Sequence, residues 1–428
     1  METNAYARWF RGSTPYISAH RGKTFVALLS GEALEHINLT NIAHDLALLH
    51  VLGVRLVLVH GARPQIEYAL PESFYHGHRR VTDEDAMRTI SAVNGQIRTQ
   101  LEALFSTGLP NSPMHNVDIP VISGNFVTAK PVGILDGVDH LFTGHVRRIE
   151  TERVQSCLSN GALVLQSPVG FSPSGQAFNL PAEELAAEIA MQLSADKLIF
   201  FDELAHIKDD QGNRISTLTP ASLAQATTDI DTASQRRLQY LEQAVRGGVA
   251  KGHLVSYVDD GALLAELFTA EGVGTQVAEH QGRGVRIATL DDVAGIVEVI
   301  RPLEESGALV RRERDRLEQE IGNFMVAELD GIVVGCCAIY PYHEQAELAC
   351  VGVHENFQSG NGIGPSLLAA AEAHAKSNGA KTLFALTTQT RDWFLSHGFA
   401  EAAPDALPEQ KQSLYNWQRN STVMVKTL

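Results

Sequence analysis

Short, continuous runs of Val, Leu, Ile and Phe, each followed by an amphipathic stretch, fill most of the first 270 residues. The clearest runs are TFVALLS from residue 24, VRLVLVHG from residue 54, GALVLQSPVG from residue 161 and HLVSYV from residue 253. A strand that is apolar at successive positions is buried on both faces, as in a parallel sheet covered by helices on each side. The sequence therefore predicts a doubly wound, mainly parallel α/β sheet in this part of the chain.

The pattern changes after the glycine-rich stretch EGVGTQVAEHQGRG at residues 271–284. Such a composition is typical of a junction between domains, and a chain of 428 residues exceeds the size at which one core usually keeps growing. We expect a first domain at residues 1–274, a linker at 275–284 and a second domain at 285–428.

The second domain shows the signals of an antiparallel sheet with helices. FMVAELDGIVVGCCAIY reads as a hairpin that turns at Asp330-Gly331, and RRERDRLEQEI, which starts at Arg311, reads as a charged helix. A strand, a glycine-rich loop and a helix follow at residues 347–378, and strands KTLFALTT and STVMVKTL come after them. We expect a smaller α+β domain.

Charge and cysteine content exclude several classes of function. The chain carries 50 acidic and 34 basic residues, a net charge of −16, which repels nucleic-acid phosphate and anionic lipid. Its four cysteines match neither a disulfide framework nor paired zinc ligands, and no apolar run has the length of a membrane span. We expect a cytoplasmic protein with no metal, no nucleic-acid partner and no membrane partner.

Glycines between a strand and a helix are the most informative local motif. Gly360, Gly362 and Gly364 allow successive backbone N–H groups to converge on an anion at a helix N-terminus. The block ELACVGVHENFQSGNGIGPSLLAAAEAHA resembles motif A of the GNAT acetyltransferase superfamily, although Gln358 stands one position upstream of its usual place and Ser359 occupies that place. This resemblance implies that the loop binds the pyrophosphate of acetyl-CoA and that the preceding strand pairs with the pantetheine arm. The implied cofactor contacts are Cys350, Val351, Val353, Gln358, Ser359, Gly360, Asn361, Gly362, Ile363 and Gly364.

Similarity to a known family extends over nearly the whole chain. The segments that carry it are FRGSTPYISAHRGKTF, HGARPQI, TGHVRRI, LFALTTQTRDWFLSHGF and RNSTVMVK. They resemble bacterial N-acetylglutamate synthases, in which an amino-acid-kinase-like domain precedes a GNAT domain. The resemblance implies transfer of acetyl from acetyl-CoA to the α-amine of L-glutamate, the first step of arginine biosynthesis, by a homo-oligomer that assembles through the kinase-like domain.

An amine attacks a thioester only after it loses its proton, so a carboxylate beside the amine is useful as a general base. Glu347, at the start of the strand that precedes the loop, is our candidate base; the alternative is a solvated glutamate at a strand end. The two carboxylates of glutamate call for forked donors, which arginine provides. The resemblance puts substrate contacts at Arg311, Arg312, Arg419 and Ser421, with an exposed ion pair along the helix as the alternative for Arg312.

The leaving thiolate benefits from a proton donor, which in many GNAT enzymes is a tyrosine in a Phe-Tyr pair. This chain has Trp393-Phe394 at that place, so the usual hydroxyl is missing. Thr387, Thr388 and Tyr415 are possible replacements, each with a structural role as the alternative reading. We select Thr388, which the resemblance places at the end of the strand beside the thioester.

The first domain resembles amino-acid kinases, but its phosphate-binding segments differ. Where those kinases have a His-Gly-Gly-Gly-Pro-Gln segment, this chain has Ala62 and Arg63 in place of two glycines, and TASQRR replaces a later lysine segment. Side chains at these positions obstruct a close approach of the backbone to phosphate. The alternatives to acetyl transfer to glutamate are acetylglutamate kinase activity, a GNAT enzyme with another amine acceptor such as a polyamine or lysine, and an inactive arginine sensor.

Regulation by L-arginine is implied by the same resemblance, which places the effector in the kinase-like domain. The matching positions are Tyr16, Lys251, His253, Glu271, Gly272 and Gly274. Glu271 is expected to meet the guanidinium group, and free amides around Gly272 and Gly274 are expected to hold the carboxylate. Tyr16 and His253 have a packed structural role as the alternative.

Overall fold

The computed structural model describes residues 13–108, 114–209, 211–223, 230–269, 272–279, 284–329, 332–357, 362–412 and 421–428. Spatial contacts divide the chain into two compact units. The N-terminal unit is Tyr16–Gln281, and the C-terminal unit contains Gly282–Leu428. No helix among the described residues is long and apolar enough to cross a membrane.

The elements before residue 281 alternate as the apolar runs predict. The helices are α1 Thr14–His20, α2 Gly31–Glu35, α3 Leu39–Val51, α4 Arg63–Ala69, α5 Glu84–Phe105, α6 Thr151–Ser159, α7 Ala182–Gln192, α8 Thr232–Arg246 and α9 Ala262–Phe268. The strands are β1 Thr24–Leu29, β2 Arg55–His60, β3 Tyr75–His76, β4 Arg79–Arg80, β5 Val121–Ile122, β6 Val127–Pro131, β7 Ile134–Leu135, β8 Val138–Asp139, β9 Gly144–Ile149, β10 Leu163–Gln166, β11 Val169–Phe171, β12 Ala177–Asn179, β13 Lys197–Asp202, β14 Thr217–Leu218, β15 Lys251–Ser256 and β16 Thr275–Val277.

The main sheet of the N-terminal unit has the strand order β14-β16-β15-β13-β1-β2-β10-β5. The pairs from β15 through β5 are all parallel, which confirms the predicted doubly wound sheet. Alternate residues of β1 enter two different apolar clusters: Phe25, Ala27 and Leu29 face one side, whereas Val26 and Leu28 face the other. Both faces of the sheet are therefore covered, as continuous apolar strands require.

Polar and short strands form the rest of this unit. Strands β12, β11, β6 and β9 make a small second sheet, while β3 pairs with β4 and β7 pairs with β8. One expected boundary is corrected: β16, Thr275–Val277, pairs with β15 in the main sheet, although residues 275–284 were expected to be linker. Its threonine and glutamine give this three-residue strand no apolar run to recognise.

The C-terminal unit is α+β, with a mainly antiparallel sheet. Its α-helices are α10 Val293–Glu305, α11 Arg314–Gln319, α12 Ile363–Ser377, α13 Arg391–Ser396 and α14 Glu409–Gln412. Short 3-10 turns occur at Leu290–Asp292, Ile321–Asn323, Glu355–Phe357 and Pro404–Ala406. Its strands are β17 Gly284–Ile287, β18 Phe324–Leu329, β19 Ile332–Tyr342, β20 Gln345–Val353, β21 Thr382–Thr387, β22 Ala400–Ala402 and β23 Thr422–Thr427.

The seven strands follow the order β17-β18-β19-β20-β21-β23-β22. β18 and β19 form the predicted antiparallel hairpin, whose turn residues Asp330 and Gly331 lie outside the described residues. β20 and β21 pair in parallel at the centre of the sheet, joined by the crossover helix α12. The stretch from β20 through the start of α12 contains most of the positions predicted for acetyl transfer.

Candidate active site

The central strands β20 and β21 pair over only part of their length. Their register begins at Gln345 opposite Thr382 and ends at Glu347 opposite Phe384, although the structure describes both strands completely. Beyond that point β20 stays paired with β19 up to Val353, and β21 stays paired with β23 up to Thr387. The two strands therefore diverge after Glu347 and leave an opening in the middle of the sheet.

A bulge in β20 lies beside this opening. Ala338 on β19 is opposite Ala349, whereas Cys336 is opposite Gly352, so β20 contains one extra residue there. Cys350 accommodates it with a φ of 50°, a left-handed conformation that a residue with a Cβ atom adopts at a cost of roughly 1–3 kcal/mol. The bulge interrupts the regular alternation of side chains between the two faces of β20. Backbone and side-chain groups therefore change direction at the place where β20 and β21 separate.

Arg312 contacts the bulge from one face of the sheet. Its guanidinium Nη1 donates to the Sγ atom of Cys350, and its backbone N–H donates to Oε1 of Glu304 at 2.9 Å. Burial raises the pKa of the Cys350 thiol to about 11, although Arg312 acts in the opposite direction. Cys350 is thus a neutral thiol, and Arg312 brings a positive charge to the β20 bulge.

The position of the arginine pair differs from the expectation in one respect. Arg311 and Arg312 were expected to open the charged helix, but α11 begins at Arg314 with Glu313 as its N-cap. The two arginines lie in the extended segment before it, where Arg311 is exposed and Arg312 is half-buried. In this conformation Arg312 leaves the helix surface and reaches β20, so it does not form the ion pair along the helix that was its alternative role.

Tyr340 and Glu320 form a polar pair near the same bulge. The Tyr340 hydroxyl donates to Oε2 of Glu320 at 2.6 Å, and Nε of Arg316 donates to Oε1 of the same carboxylate at 2.9 Å. Burial, together with the Glu320 carboxylate, raises the pKa of Tyr340 well above its usual range. Tyr340 therefore keeps its proton, and it lies opposite Glu347 across the strand pair.

Glu347 occupies the last paired position before the strands diverge, and its residue is only 6% exposed. The reading of a solvated strand-end glutamate is therefore wrong. Its Oε2 accepts a hydrogen bond from Nζ of Lys411 at 2.7 Å. Burial and the neighbouring Glu347 carboxylate raise the pKa of Tyr342, which places a third polar side chain beside the pair. Glu347 is therefore a buried, paired carboxylate at the point where the two strands diverge.

Thr388 and Ser421 lie close together at the far end of β21. The last register pair of β21 with β23 joins Thr387 to Thr422, so Thr388 follows one strand and Ser421 precedes the other. Thr388 is exposed, whereas Thr387 is buried and its Oγ1 contacts the Oγ1 of Thr390 at 2.8 Å. Of the two threonines, Thr388 has the accessible hydroxyl.

The described part of the glycine-rich loop shows how α12 begins. Gly362 has a φ of 57° and forms the N-cap of the helix, and its carbonyl accepts from the Ser366 hydroxyl at 2.8 Å. A Cβ atom at Gly364 would lie 3.2 Å from the Trp393 ring, so a side chain at this position would crowd the helix start. Ile363 is buried against the sheet. Val351 and Val353 are half-buried on β20.

Several predicted residues lie outside the described residues. They are Gln358, Ser359, Gly360, Asn361, Glu271, Tyr415 and Arg419.

His253, predicted to contact arginine, belongs to a buried polar chain in the N-terminal unit. Its Nδ1 lies 2.8 Å from Oε1 of Glu266, and its Nε2 lies 3.5 Å from Nζ of Lys197. Burial and the neighbouring Lys197 lower the pKa of His253. These partners fit a neutral ring that donates from Nδ1 to Glu266 and accepts from Lys197 at Nε2. Lys251 opens the same strand β15, and Tyr16 is buried on α1.

The amides near Gly274 were expected to be free, and this expectation is corrected. Glu266 Oε2 accepts from the backbone N–H groups of Val273 and Gly274, each at 2.8 Å, and Gly272 donates to the Thr269 hydroxyl at 3.2 Å. Burial alone would raise the pKa of Glu266, but the hydrogen bonds from His253 and the two amides outweigh it and lower the pKa to about 2. The Glu266 carboxylate therefore accepts from amides that were expected to hold the carboxylate of bound arginine.

The loops after β1 and β2, which correspond to the phosphate-binding segments of amino-acid kinases, contact each other directly. Gln65 Nε2 donates to the carbonyl of Gly31 at 2.7 Å, and a Cβ atom at Gly61 would lie 2.8 Å from the backbone nitrogen of Gly31. Ala62 is buried, and Arg63 pairs with Glu67 along α4. The loops after β1 and β2 therefore touch each other, and side chains stand where those kinases have two of their glycines.

Sequence reasoning missed Lys411 and Glu266, which contact the predicted residues directly. Lys411 lies in PEQKQ, a short polar stretch with no motif, and it is separated from Glu347 by 64 residues. Glu266 lies on α9, ALLAELF, where it is the single acidic residue of an otherwise apolar helix. That isolation in the sequence could have indicated a buried polar contact. Among the described residues, no group of three or more His, Cys, Asp or Glu side chains is arranged to hold a metal ion.

Comparison with known proteins places both units in established families. Residues 23–256 match the amino acid kinase family, and residues 293–399 match the acetyltransferase (GNAT) family. An amino-acid acetyltransferase from Azotobacter vinelandii is 46% identical over 430 residues, which cover 99% of each chain.

Two crystal structures of N-acetylglutamate synthase from Neisseria gonorrhoeae are also similar over 99% of both chains. The complex with coenzyme A and L-arginine is 34% identical with a TM-score of 0.87, and the complex with coenzyme A and N-acetyl-glutamate is 35% identical with a TM-score of 0.64. The match covers both units together, in the order in which they occur here. The chain therefore belongs to the amino-acid acetyltransferase family and is an acyltransferase in which an amino-acid-kinase fold precedes a GNAT fold.

Proposed function

We propose that this chain transfers the acetyl group of acetyl-CoA to the α-amine of L-glutamate, the first step of arginine biosynthesis. The observation that carries the proposal is the opening between β20 and β21, with Glu347 buried at its start and Arg312 beside the bulge. An extended pantetheine arm can pair with the exposed edge of β20, so that its thioester lies at the point of divergence. The similar Neisseria gonorrhoeae structures contain coenzyme A, which supports this choice of donor.

Glu347 is the proposed general base. It accepts the proton of the substrate ammonium, directly or through one water, and the free amine then attacks the thioester carbonyl. Lys411 occupies one oxygen of Glu347 at 2.7 Å, so proton transfer requires this ion pair to loosen or shift. The tetrahedral intermediate then expels the CoA thiolate, which takes the proton that the attacking nitrogen loses, relayed through the accessible hydroxyl of Thr388.

Arg312 is the proposed anchor for a substrate carboxylate, with Arg311, Arg419 and Ser421 as further contacts. A guanidinium group forms two parallel hydrogen bonds to a carboxylate, and in an acidic chain such local cations are needed to hold a substrate with two carboxylates. Cationic acceptors such as spermidine or lysine would be repelled by the same charges. This argument favours glutamate over the other amine acceptors.

The N-terminal unit is proposed to bind L-arginine as a feedback effector. The supporting feature is the buried chain from Lys197 through His253 to Glu266, beside the predicted contacts Lys251 and Gly274. Glu266 ties the 272–274 turn to α9 through two amide hydrogen bonds. An arginine carboxylate that took over these amides would release Glu266 for the guanidinium group, which gives the unit two states with different affinity.

One assay tests substrate and effector together. CoA release is measured with glutamate, aspartate, lysine and spermidine, each with and without L-arginine. We expect glutamate to be the only efficient acceptor and arginine to lower its rate. Comparable rates with lysine or spermidine would overturn the assignment of substrate, whereas a rate independent of arginine would overturn only the assignment of effector. We also propose that the chain is cytoplasmic and forms a homo-oligomer. Size-exclusion chromatography with light scattering checks the oligomeric state.

A further inference from the structure

Lys411 and Glu347 form a partly buried ion pair in the C-terminal unit. Nζ of Lys411 lies 2.7 Å from Oε2 of Glu347, and the two side chains are 22% and 8% exposed. Burial disfavours the charged form of a carboxylate, whereas a neighbouring ammonium group favours it. The Lys411 ammonium therefore compensates the charge that Glu347 must carry in order to accept a proton.

The short segment that carries Lys411 is fixed against the sheet beside the opening. Leu407 belongs to the same buried apolar cluster as Phe384, which is the residue opposite Glu347 on β21. Nε2 of Gln412 donates to the carbonyl of Leu407 at 2.6 Å and closes the segment into a turn. The backbone at Lys411 is thus anchored, and its side chain provides the reach towards Glu347.

The acceptor approaches Glu347 with the same chemical group that Lys411 already presents. An α-amine has a pKa of about 8, so at neutral pH it arrives mainly as an ammonium group. That group must come within hydrogen-bond reach of Glu347 to give up its proton. Lys411 occupies Oε2 of this carboxylate, and two ammonium groups on one carboxylate repel each other. The acceptor's ammonium therefore displaces Lys411 from Glu347.

A displaced Lys411 needs a new partner, because its side chain is only 22% exposed and a partly desolvated charge without a partner is unfavourable. An α-amino acid supplies that partner, since its carboxylate is attached to the carbon that bears the amine. When the ammonium group pairs with Glu347, this carboxylate lies next to the place that Lys411 has left. The flexible four-carbon stem of lysine allows Nζ to follow it while the backbone stays in place. Two ion pairs then replace one, and every charge keeps a partner.

We propose that Lys411 passes from Glu347 to the α-carboxylate of the acceptor and thereby selects amines with an adjacent carboxylate. The inference rests on the proposed function and adds to it a residue that decides which amine is acetylated. A polyamine, or the side-chain amine of lysine, would displace Lys411 without giving it a partner. Arg312, at the bulge further along β20, is then available for the distal carboxylate of glutamate.

Steady-state CoA release by the full chain with L-glutamate and with 4-aminobutyrate tests the inference. 4-Aminobutyrate is glutamate without its α-carboxylate, and it keeps the amine and the distal carboxylate. The ratio of kcat/KM for the two acceptors cancels any change in the fraction of folded enzyme. We expect Lys411→Met to lower this ratio by roughly tenfold or more, as the loss of a charged hydrogen bond does. If 4-aminobutyrate turns over too slowly, its inhibition constant against glutamate is measured instead, and Lys411→Met should change that constant by less than about threefold.

Lys411→Arg and Lys381→Met are the matched controls. Arginine keeps a charge that pairs with either carboxylate, so Lys411→Arg should retain most of the ratio that Lys411→Met loses. Lys381 forms a similar pair with Glu344 at 2.6 Å, but both side chains are 70% exposed, so Lys381→Met should leave the ratio unchanged. Arg312→Gln should lower kcat/KM for both acceptors alike, because both carry the distal carboxylate.

Three results would overturn the inference. The first is an equal loss of kcat/KM with both acceptors in Lys411→Met, which would make the role of Lys411 purely structural. The second is a kcat/KM of Lys411→Met for glutamate within a factor of about three of the original. The third is a ratio that falls in Arg312→Gln but not in Lys411→Met, which would assign the α-carboxylate to Arg312. Absence of CoA release from the original chain with glutamate would instead overturn the proposed function, and the inference with it.

Discussion

Replacement of Glu347 by Gln isolates the proposed general base with little change in shape. Loss of a general base lowers turnover by about 10²–10⁴-fold, which corresponds to about 2.7–5.4 kcal/mol in the activation barrier. The amide remains able to accept from Lys411, and the Lys411 side chain is 22% exposed and can reach water. We therefore expect the free energy of unfolding to fall by only about 1–2 kcal/mol. The effect on catalysis should exceed the effect on folding.

The assay is steady-state CoA release at saturating acetyl-CoA and glutamate, with urea unfolding of the same preparations. Glu344→Gln serves as the control, since Glu344 lies on the turn before β20, is 70% exposed and pairs with Lys381. A kcat for Glu347→Gln within a factor of about three of the original would refute the role of Glu347 as base, as would an equal loss in the control.

Three further changes test other parts of the account. Arg312→Gln should raise the KM for glutamate by roughly 10–150-fold, the range expected for the loss of one charged hydrogen bond. Arg311→Gln should raise the KM less, because Arg311 is exposed. Equal effects of the two changes in steady-state kinetics would contradict the anchoring role of Arg312. Burial lowers the pKa of His60 to about 4. As the pH falls from 6.5 to 4, His60 therefore binds a proton in the unfolded chain but stays neutral in the folded chain, which lowers the free energy of unfolding. Urea unfolding should accordingly show a stability loss of about 3 kcal/mol between pH 7 and pH 4 that His60→Gln removes, and an unchanged pH dependence in the variant would count against it. Gly61→Ala would put a methyl carbon 2.8 Å from a backbone nitrogen of the neighbouring loop and should lower the free energy of unfolding by about 1–3 kcal/mol. Gly95→Ala, with open space on α5, should raise it by about 0.5–1 kcal/mol. Thermal unfolding that ranks the two variants in the reverse order would contradict the contact.

The elements that the sequence predicted are those whose burial leaves a periodic trace. β1 and β13 are buried on both faces and therefore read as continuous apolar runs. β6 and β9 have exposed residues and basic or polar side chains, so VTAKP and GHVRRI give no such run. β16 is three residues long and lies within a glycine-rich stretch, so its pairing with β15 depends on tertiary contacts that no local pattern records.

For the site, residue types and motifs indicated which strand carries the chemistry, but not what its side chains touch. The opening after Glu347 depends on where pairing between β20 and β21 stops, and that is a property of the whole sheet. Glu313 occupies the N-cap position of α11, so Arg312 lies outside the helix, a boundary that the run of charged residues does not reveal. The contact of Lys411 with Glu347 and that of Glu266 with Gly274 join segments without any shared pattern.

The central claim is that the divergence of β20 and β21 receives the pantetheine arm of acetyl-CoA. A crystal structure of the full chain soaked with acetyl-CoA tests it most directly. The account predicts the diphosphate at the start of α12, the arm along the edge of β20 beyond Glu347, and the thioester beside that carboxylate. Acetyl-CoA bound elsewhere, with the opening filled only by water, would contradict the account.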